Sequence, residues 1–245
     1  MGTLDGRVAL VTGATSGLGE RFAQVLGQAG ATVIVTGRRA AQLSRVADTL
    51  EGIAAPGDMT SPQHRAALAT LVANQFGHLD ILVNNAGICD DGPLENQTLD
   101  QLDAVIDTNL LAPLDLCRLV APSLFASQRA SVINVASIYG LVASRNPMAA
   151  YNATKAALIN LTRHLAAQWG PRGVRVNALA PGYFPTELTG MLTDESLIET
   201  IKNQSLLGRV PSIGELDGPL LFLASDASSY ITGHTLVVDG GWTST

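Results

Sequence analysis

Tyr151 and Lys155 stand four residues apart in the run Ala149-Ala150-Tyr151-Asn152-Ala153-Thr154-Lys155-Ala156-Ala157, which reads as the opening of a helix. On a helix, positions i and i+4 share a face, so phenol and ammonium are neighbours. A cation beside a phenol stabilises the phenolate, drawing a group that ordinarily titrates near ~10 toward neutral pH, where it exchanges protons with a substrate. The pair is a candidate acid/base device. An edge aromatic beside a solvated cation has the same spacing, so the rest of the chain must decide.

A second constellation follows the apolar run Val8-Ala9-Leu10-Val11: Thr12-Gly13-Ala14-Thr15-Ser16-Gly17-Leu18-Gly19, then a helical stretch. Glycines there permit a tight turn, let backbone approach a pyrophosphate, and set the positive end of a helix against that anion. The spacing Gly-x-x-x-Gly-x-Gly departs from the commoner Gly-x-Gly-x-x-Gly, and a turn without ligand is the alternative. The next strand-like run ends in Thr36-Gly37-Arg38-Arg39. An NAD-preferring site places an acidic residue there against the ribose 2′-hydroxyl. Here no carboxylate repels a 2′-phosphate, and Arg38 is placed to clamp one bidentately. NADP(H) is favoured, and NAD(H) is possible if both arginines are solvated.

These groups need a scaffold. Strand-like apolar runs recur at Val8–Val11, Thr32–Val35, Leu79–Val83, Ser131–Val135, Val174–Ala178 and Thr235–Val238. Helical periodicity occupies Glu20–Gln28, Ala40–Leu50, Gln63–Asn74, Leu99–Ser127 and Tyr151–Trp169. Buried strands alternating with helices specify an α/β fold, a doubly wound parallel sheet with helices on both faces. With 245 residues, 47% of them hydrophobic and 15% charged, the chain suits one domain spanning 1–245. The stretch 183–214 interrupts the rhythm and is long for a connection, which predicts a substrate lid.

A net charge of −6 argues against a nucleic-acid partner, which would need a basic face. Cys89 and Cys117 lack Cys-x-x-Cys spacing, and His64, His78, His164 and His234 are scattered, so neither a disulfide nor a metal site is expected. The first residues show no apolar run with a small-residue cleavage site, and no segment has the roughly 18 uninterrupted apolar residues of a membrane helix. The expectation is a cytoplasmic protein with no membrane partner.

Taken in order, the glycine turn, Asn84-Asn85-Ala86-Gly87, Ser137, Tyr151-x-x-x-Lys155 and Pro181-Gly182 resemble the classical short-chain dehydrogenase/reductase family, over about Arg7 to Trp242. The resemblance implies a Rossmann-like sheet of seven strands with the cofactor over their carboxyl ends. It implies cofactor contacts at Gly13, Thr15, Ser16, Gly17, Leu18, Gly19 and Arg38, at Asp58 and Met59 beside the adenine, and at Asn85, Ala86 and Gly87 along the adenosine ribose. Pro181, Gly182 and Thr186 would meet the nicotinamide half, and Tyr151 and Lys155 would touch its ribose. It implies a catalytic tetrad of Asn109, Ser137, Tyr151 and Lys155, in which Ser137 hydrogen-bonds the substrate oxygen, Tyr151 carries its proton, and Lys155 lowers the tyrosine pKa. The family uses the backbone of Asn109 to hold a water. Pro113, which has no N–H to donate four residues back, would release that carbonyl.

Two departures bear on specificity. Ser137 and Tyr151 are fourteen positions apart where the family more often has thirteen, so the loop 141–148 carries one extra residue. Ser16 stands where NADP-preferring relatives often have a basic residue. Ile138, Tyr139, Val142, Ala143, Met148, Tyr183, Phe184, Leu188 and Met191 are candidate pocket residues, mostly apolar, suggesting a hydrophobic ketone, secondary alcohol or 3-oxoacyl thioester. The overall pattern is also similar to gluconate-type sugar and polyol dehydrogenases using NAD(H). An acyl carrier protein would be met by Arg129 and Arg172, and a small carboxylate substrate by Arg145. A regulator that senses NADP(H) without turnover is the alternative from another class. The resemblance further implies a homotetramer or homodimer paired through the helical stretches Leu99–Ser127 and Tyr151–Trp169.

Overall fold

The computed structural model describes residues 3–90 and 92–244, apart from the side chains of Leu188, Met191 and Leu192. Seven parallel strands, β1 (Val8–Thr12), β2 (Thr32–Gly37), β3 (Ile53–Pro56), β4 (Ile81–Asn84), β5 (Ser131–Val135), β6 (Arg175–Pro181) and β7 (Thr235–Val238), form one sheet in the order β3-β2-β1-β4-β5-β6-β7. The helices are α1 (Gly17–Gln28), α2 (Ala40–Leu50), α3 (Pro62–Gln75), α4 (Leu99–Ile106), α5 (Ala112–Ala126), α6 (Ala149–Trp169), α7 (Glu195–Gln204) and α8 (Asp217–Ala224). Among the described residues, no helix is long and apolar enough to cross a membrane.

Side chains alternate across the strands and build two cores. Ala9, Val11, Val33, Val35, Ile81 and Val83 point toward α1, α2 and α8. Val8, Leu10, Ile34, Leu82 and Val132 point toward α3, α5 and α6. The strand missing from the sequence reading is β3. It is a four-residue edge strand, Ile-Ala-Ala-Pro, only partly buried, with two small residues of weak strand preference and a proline that an edge tolerates. From β1 the chain winds outward through β2 to β3, then returns to β4 on the other side of β1. That reversal opens a crevice over the carboxyl ends of β1 and β4.

The long helix expected over Leu99–Ser127 is two helices joined by a π turn, Asp107–Leu111. The Ala112 N–H bonds the Asp107 carbonyl, five residues back, and Pro113 follows with no N–H to donate. The proline thus ends a whole turn of wide helix, where the sequence predicted release of the Asn109 carbonyl alone.

A buried chain of amides ties the sheet to α6. Asn84 Nδ2 donates to its β5 partner Asn134 Oδ1 at 2.8 Å, Asn134 Nδ2 donates to Thr162 Oγ1 at 2.9 Å, and Thr162 donates to the Leu158 carbonyl at 2.9 Å. Asn134→Ala would break both amide contacts, leaving Asn84 Nδ2 only a 3.4 Å contact to Cys117 Sγ. Denaturant unfolding is expected to show a loss of about 2–4 kcal/mol, because a buried donor loses its partner and a cavity opens.

Candidate active site

A cleft of about 1130 Å³ lies over the carboxyl ends of the strands. One wall is the glycine turn. Gly13 has φ +67, and a Cβ there would come 2.8 Å from Ala86 Cα, while a Cβ on Gly19 would collide with the Gly13 carbonyl. Only glycine lets the turn, the start of α1 and the Asn85-Ala86 strand end pack this closely. Asn85 Nδ2 donates to the Thr12 and Gly13 carbonyls at 2.9 and 3.3 Å, and Thr12 Oγ1 accepts the Asn85 and Ala86 N–H groups at 3.0 Å each. Ser16 is the N-cap of α1, but its hydroxyl caps no helix N–H. The positive end of the helix therefore meets the cleft without a side-chain cap, an arrangement suited to a phosphate.

The sequence-derived cofactor residues converge here. Thr15, Ser16, Gly17, Leu18 and Arg38 line one end with Asp58 and Met59, Asn85, Ala86 and Gly87 line the middle, and Pro181, Gly182 and Thr186 line the far end beside Tyr151 and Lys155. Asp58 accepts the Thr60 N–H and hydroxyl at 2.9 Å each. Chiefly through that N–H, and with help from the charge of Arg38, its carboxyl sits below the usual range. Sequence reasoning named Arg38 and passed over Arg39, whose guanidinium bonds Thr15 and Ser16 in the glycine turn and Glu187 beyond β6. Both arginines follow Gly37, and spacing alone does not say which one folds over the turn.

Ser137, Tyr151 and Lys155 share the floor of the cleft. Ser137 follows β5 in an extended conformation, where its hydroxyl accepts the Tyr139 N–H at 3.1 Å. Lys155 is 4% exposed, its Nζ donates to the Val135 carbonyl at 2.8 Å, and it lies 5.5 Å from the centroid of the Tyr151 ring. Burial pulls the lysine pKa down to about 8. Burial also pushes the tyrosine pKa up to about 12, against the nearby Ser137 hydroxyl, which favours the phenolate. In the protein by itself the phenol therefore titrates above its ordinary range, with burial the largest cause. Both groups lose solvation, and the ammonium is committed to a backbone carbonyl.

Asn109, 1% exposed, stands behind the cleft wall. Its amide closes a ring with Ile88, accepting the N–H and donating to the carbonyl at 2.8 Å each, and donates to Thr154 Oγ1 at 3.2 Å. It therefore fastens the segment after Gly87 to α6, next to Lys155. Asp90 was not anticipated. Its buried carboxylate accepts the Ala150 and Tyr151 N–H groups at 3.2 and 2.8 Å, capping α6, for which Met148 provides no side-chain cap. Sixty-one positions separate Asp90 from Tyr151, so no local pattern could reveal the contact.

Near Tyr151, Tyr183 and Met148 line the cleft with Cys89 and Asn146. The hydroxyls of Tyr139 and Tyr183 are 2.7 Å apart. Of the residues expected to meet substrate, Phe184, though mostly buried in the core, also lines the cleft, whereas Ile138 is almost wholly buried away from it, and Val142 and Ala143 face solvent. The expected contacts at Leu188 and Met191 lie outside the described side chains. Arg145 is exposed and does not line the cleft. Arg129 and Arg172 precede the amino ends of β5 and β6, away from the cleft, and Arg172 stacks on Phe125 at 3.3 Å from the ring centroid.

Comparison with known proteins covers the whole of this architecture. A family described as enoyl-(acyl carrier protein) reductase matches residues 13–243. Gluconate 5-dehydrogenase of Gluconobacter oxydans is 37% identical over 247 residues, covering 98% of this chain and 96% of that protein. The 3-oxoacyl-[acyl-carrier-protein] reductase FabG of Thermotoga maritima is 35% identical over 244 residues, covering 97% and 98%. A crystal structure of a gluconate 5-dehydrogenase from Burkholderia cenocepacia in complex with NADP and tartrate superposes with a TM-score of 0.93 at 34% identity, covering 99% of this chain and 97% of that one. Likeness of this extent leaves neither sheet nor cleft unaccounted for, and the chain belongs to the short-chain dehydrogenase/reductase family of oxidoreductases acting on CH–OH groups.

Proposed function

We propose that the protein is an NADP(H)-dependent oxidoreductase that interconverts a ketone and a secondary alcohol, with Tyr151 as general acid and base. The observation that carries this reading is the convergence of Ser137, Tyr151 and Lys155 on one cleft floor, with the Lys155 ammonium 5.5 Å from the centre of the Tyr151 ring. Two hydroxyls so placed hold one substrate oxygen. Ser137 donates to it, and Tyr151 gives up its proton as the carbonyl becomes an alcohol, or takes one in the reverse direction. A bound nicotinamide nucleotide supplies or accepts the hydride at the carbinol carbon. The close-packed glycine turn and the α1 N-terminus fit its pyrophosphate, and Arg38 and Arg39 fit a 2′-phosphate. Asn109 and Asp90 act as positioning residues, holding α6 and hence the tyrosine and lysine.

The substrate is a hydrophobic ketone or 3-oxoacyl thioester, admitted under the segment 183–214 acting as a lid. A second reading, a gluconate-type dehydrogenase, draws support from the polar groups at the substrate end, Asn146 and the Tyr139–Tyr183 hydroxyl pair, and from the names of the relatives. Exposed Leu99, Ile106, Leu111 and Leu114 on α4, the π turn and α5 support pairing as a homodimer or homotetramer. The test is oxidation of NADPH or NADH, followed by nicotinamide absorbance, over aryl ketones, 3-oxoacyl thioesters and keto-sugar acids. Turnover of the thioesters with NADPH supports the first substrate, and turnover confined to keto-sugar acids supports the second. Tight NADPH binding with no turnover of any of them would favour a redox-sensing binder.

A further inference from the structure

The carboxylate of Glu187, one residue beyond Thr186, crosses the mouth of the cleft to the glycine turn. Its Oε2 accepts the Ser16 hydroxyl at 2.8 Å and the Arg39 Nη2 at 3.1 Å, and its Oε1 accepts the Arg39 Nη1 at 3.2 Å. Arg39 is itself braced on Thr15 Oγ1, through Nε at 3.2 Å and Nη2 at 3.0 Å. A guanidinium fork with a hydroxyl at a helix N-terminus is the donor set a phosphate monoester takes. In this structure a carboxylate from the protein holds it.

We propose that Glu187 is a resident substitute anion that competes with the 2′-phosphate of NADP(H) for Arg39 and Ser16, and so sets the preference between NADP(H) and NAD(H). The inference rests on the NADP(H) reading above. The carboxylate is fully charged at neutral pH, since Arg39 and Ser16 hold its pKa below the usual range. The pair is also displaceable. Arg39 and Glu187 side chains are 41% and 60% exposed, and solvated ion pairs are weak. A phosphate carrying up to two charges can outcompete a single carboxylate, whereas NAD(H) has no group at that position and gains nothing from the exchange. Glu187 therefore weakens binding of the phosphorylated nucleotide selectively.

Calorimetric titration of wild type, Glu187→Gln and Glu187→Ala with NADPH, NADH and adenosine 2′,5′-bisphosphate tests this without turnover. Both variants should bind NADPH and the bisphosphate roughly threefold to tenfold more tightly, with the NADPH-to-NADH affinity ratio rising by the same factor. In an Arg39→Gln background the gain from Glu187→Gln should shrink, since the ion pair is gone and only the Ser16 contact is left to compete for. An affinity ratio unchanged in both variants, with NADPH still bound by wild type, overturns the role of Glu187 alone. Failure of wild type to bind either nucleotide overturns the cofactor assignment and this proposal together.

Discussion

Tyr151→Phe is expected to lower kcat for ketone reduction by about 10³-fold while leaving the Kd for NADPH essentially unchanged. The substitution removes one oxygen and keeps the ring that packs against α6 and Lys155. Ser137 retains its contact with the Tyr139 N–H, so the turn after β5 keeps its anchor and the fold should melt as before. What is lost is the proton. Ser137 can still polarise a carbonyl, but an alcohol of ordinary acidity is a poor proton donor at neutral pH, and no histidine is among the described residues lining the cleft. The loss should fall on kcat, because the phenol acts on the reacting oxygen and contributes little to holding the nucleotide. Rapid-mixing measurement of a single turnover would separate it from product release. Retention of more than about a tenth of wild-type turnover would place the acid elsewhere, with Cys89 and Tyr183, both on the cleft wall, as the next groups to remove.

The parts of this site that were legible in the sequence are those fixed by local geometry. Tyr151 and Lys155 share a helical face because they are four apart, and the glycine turn sits at a strand-to-helix junction because its neighbours are apolar and periodic. Strand-to-helix alternation likewise gave the sheet, with only β3 escaping, since Ile-Ala-Ala-Pro carries little strand signal and pairs along one edge only. The contacts that sequence reasoning missed join residues far apart in the chain. Asp90 caps α6 across 61 positions and Glu187 reaches Arg39 across 148, and neither distance leaves a periodic trace. The π turn before Pro113 shows a different limit. The proline marks an interruption, but whether the chain answers with a freed carbonyl or a widened turn depends on how α5 packs against the sheet. The tyrosine shift is hidden from sequence in the same way. Spacing places the ammonium beside the ring, but the balance of burial and charge that takes the phenol pKa up and the lysine pKa down is set by packing from distant parts of the chain.

That balance makes Lys155→Met a substitution with opposite effects on stability and activity. In the unfolded chain the lysine titrates near 10.5, and in the folded protein at about 8. Between those values the unfolded state binds more protons than the folded one, so stability rises with pH across the window, and below about pH 8 the full penalty of burying the charge is present. A depression of this size corresponds to about 3 kcal/mol, taken to order of magnitude. Methionine fills similar space without the charge, and forfeits the charge-assisted bond to the Val135 carbonyl, worth about 1.5–3 kcal/mol. At pH 7 the variant should therefore be at least as stable as wild type, by up to about 1.5 kcal/mol, raising Tm by a few degrees at most. The advantage should shrink as the pH approaches 10, where wild-type Lys155 is already neutral. Tyr151, whose pKa is raised, costs stability as the pH climbs from about 10 toward 12, but both proteins carry it and it cancels in the difference. Turnover should fall by at least about 10²-fold, because no cation then stabilises the phenolate as the proton leaves. Thermal melts of both proteins at pH 7 and near pH 10, beside one activity measurement, decide the matter. A Lys155→Met protein less stable than wild type at pH 7 would mean that the ammonium is better solvated or paired in the fold than its burial implies.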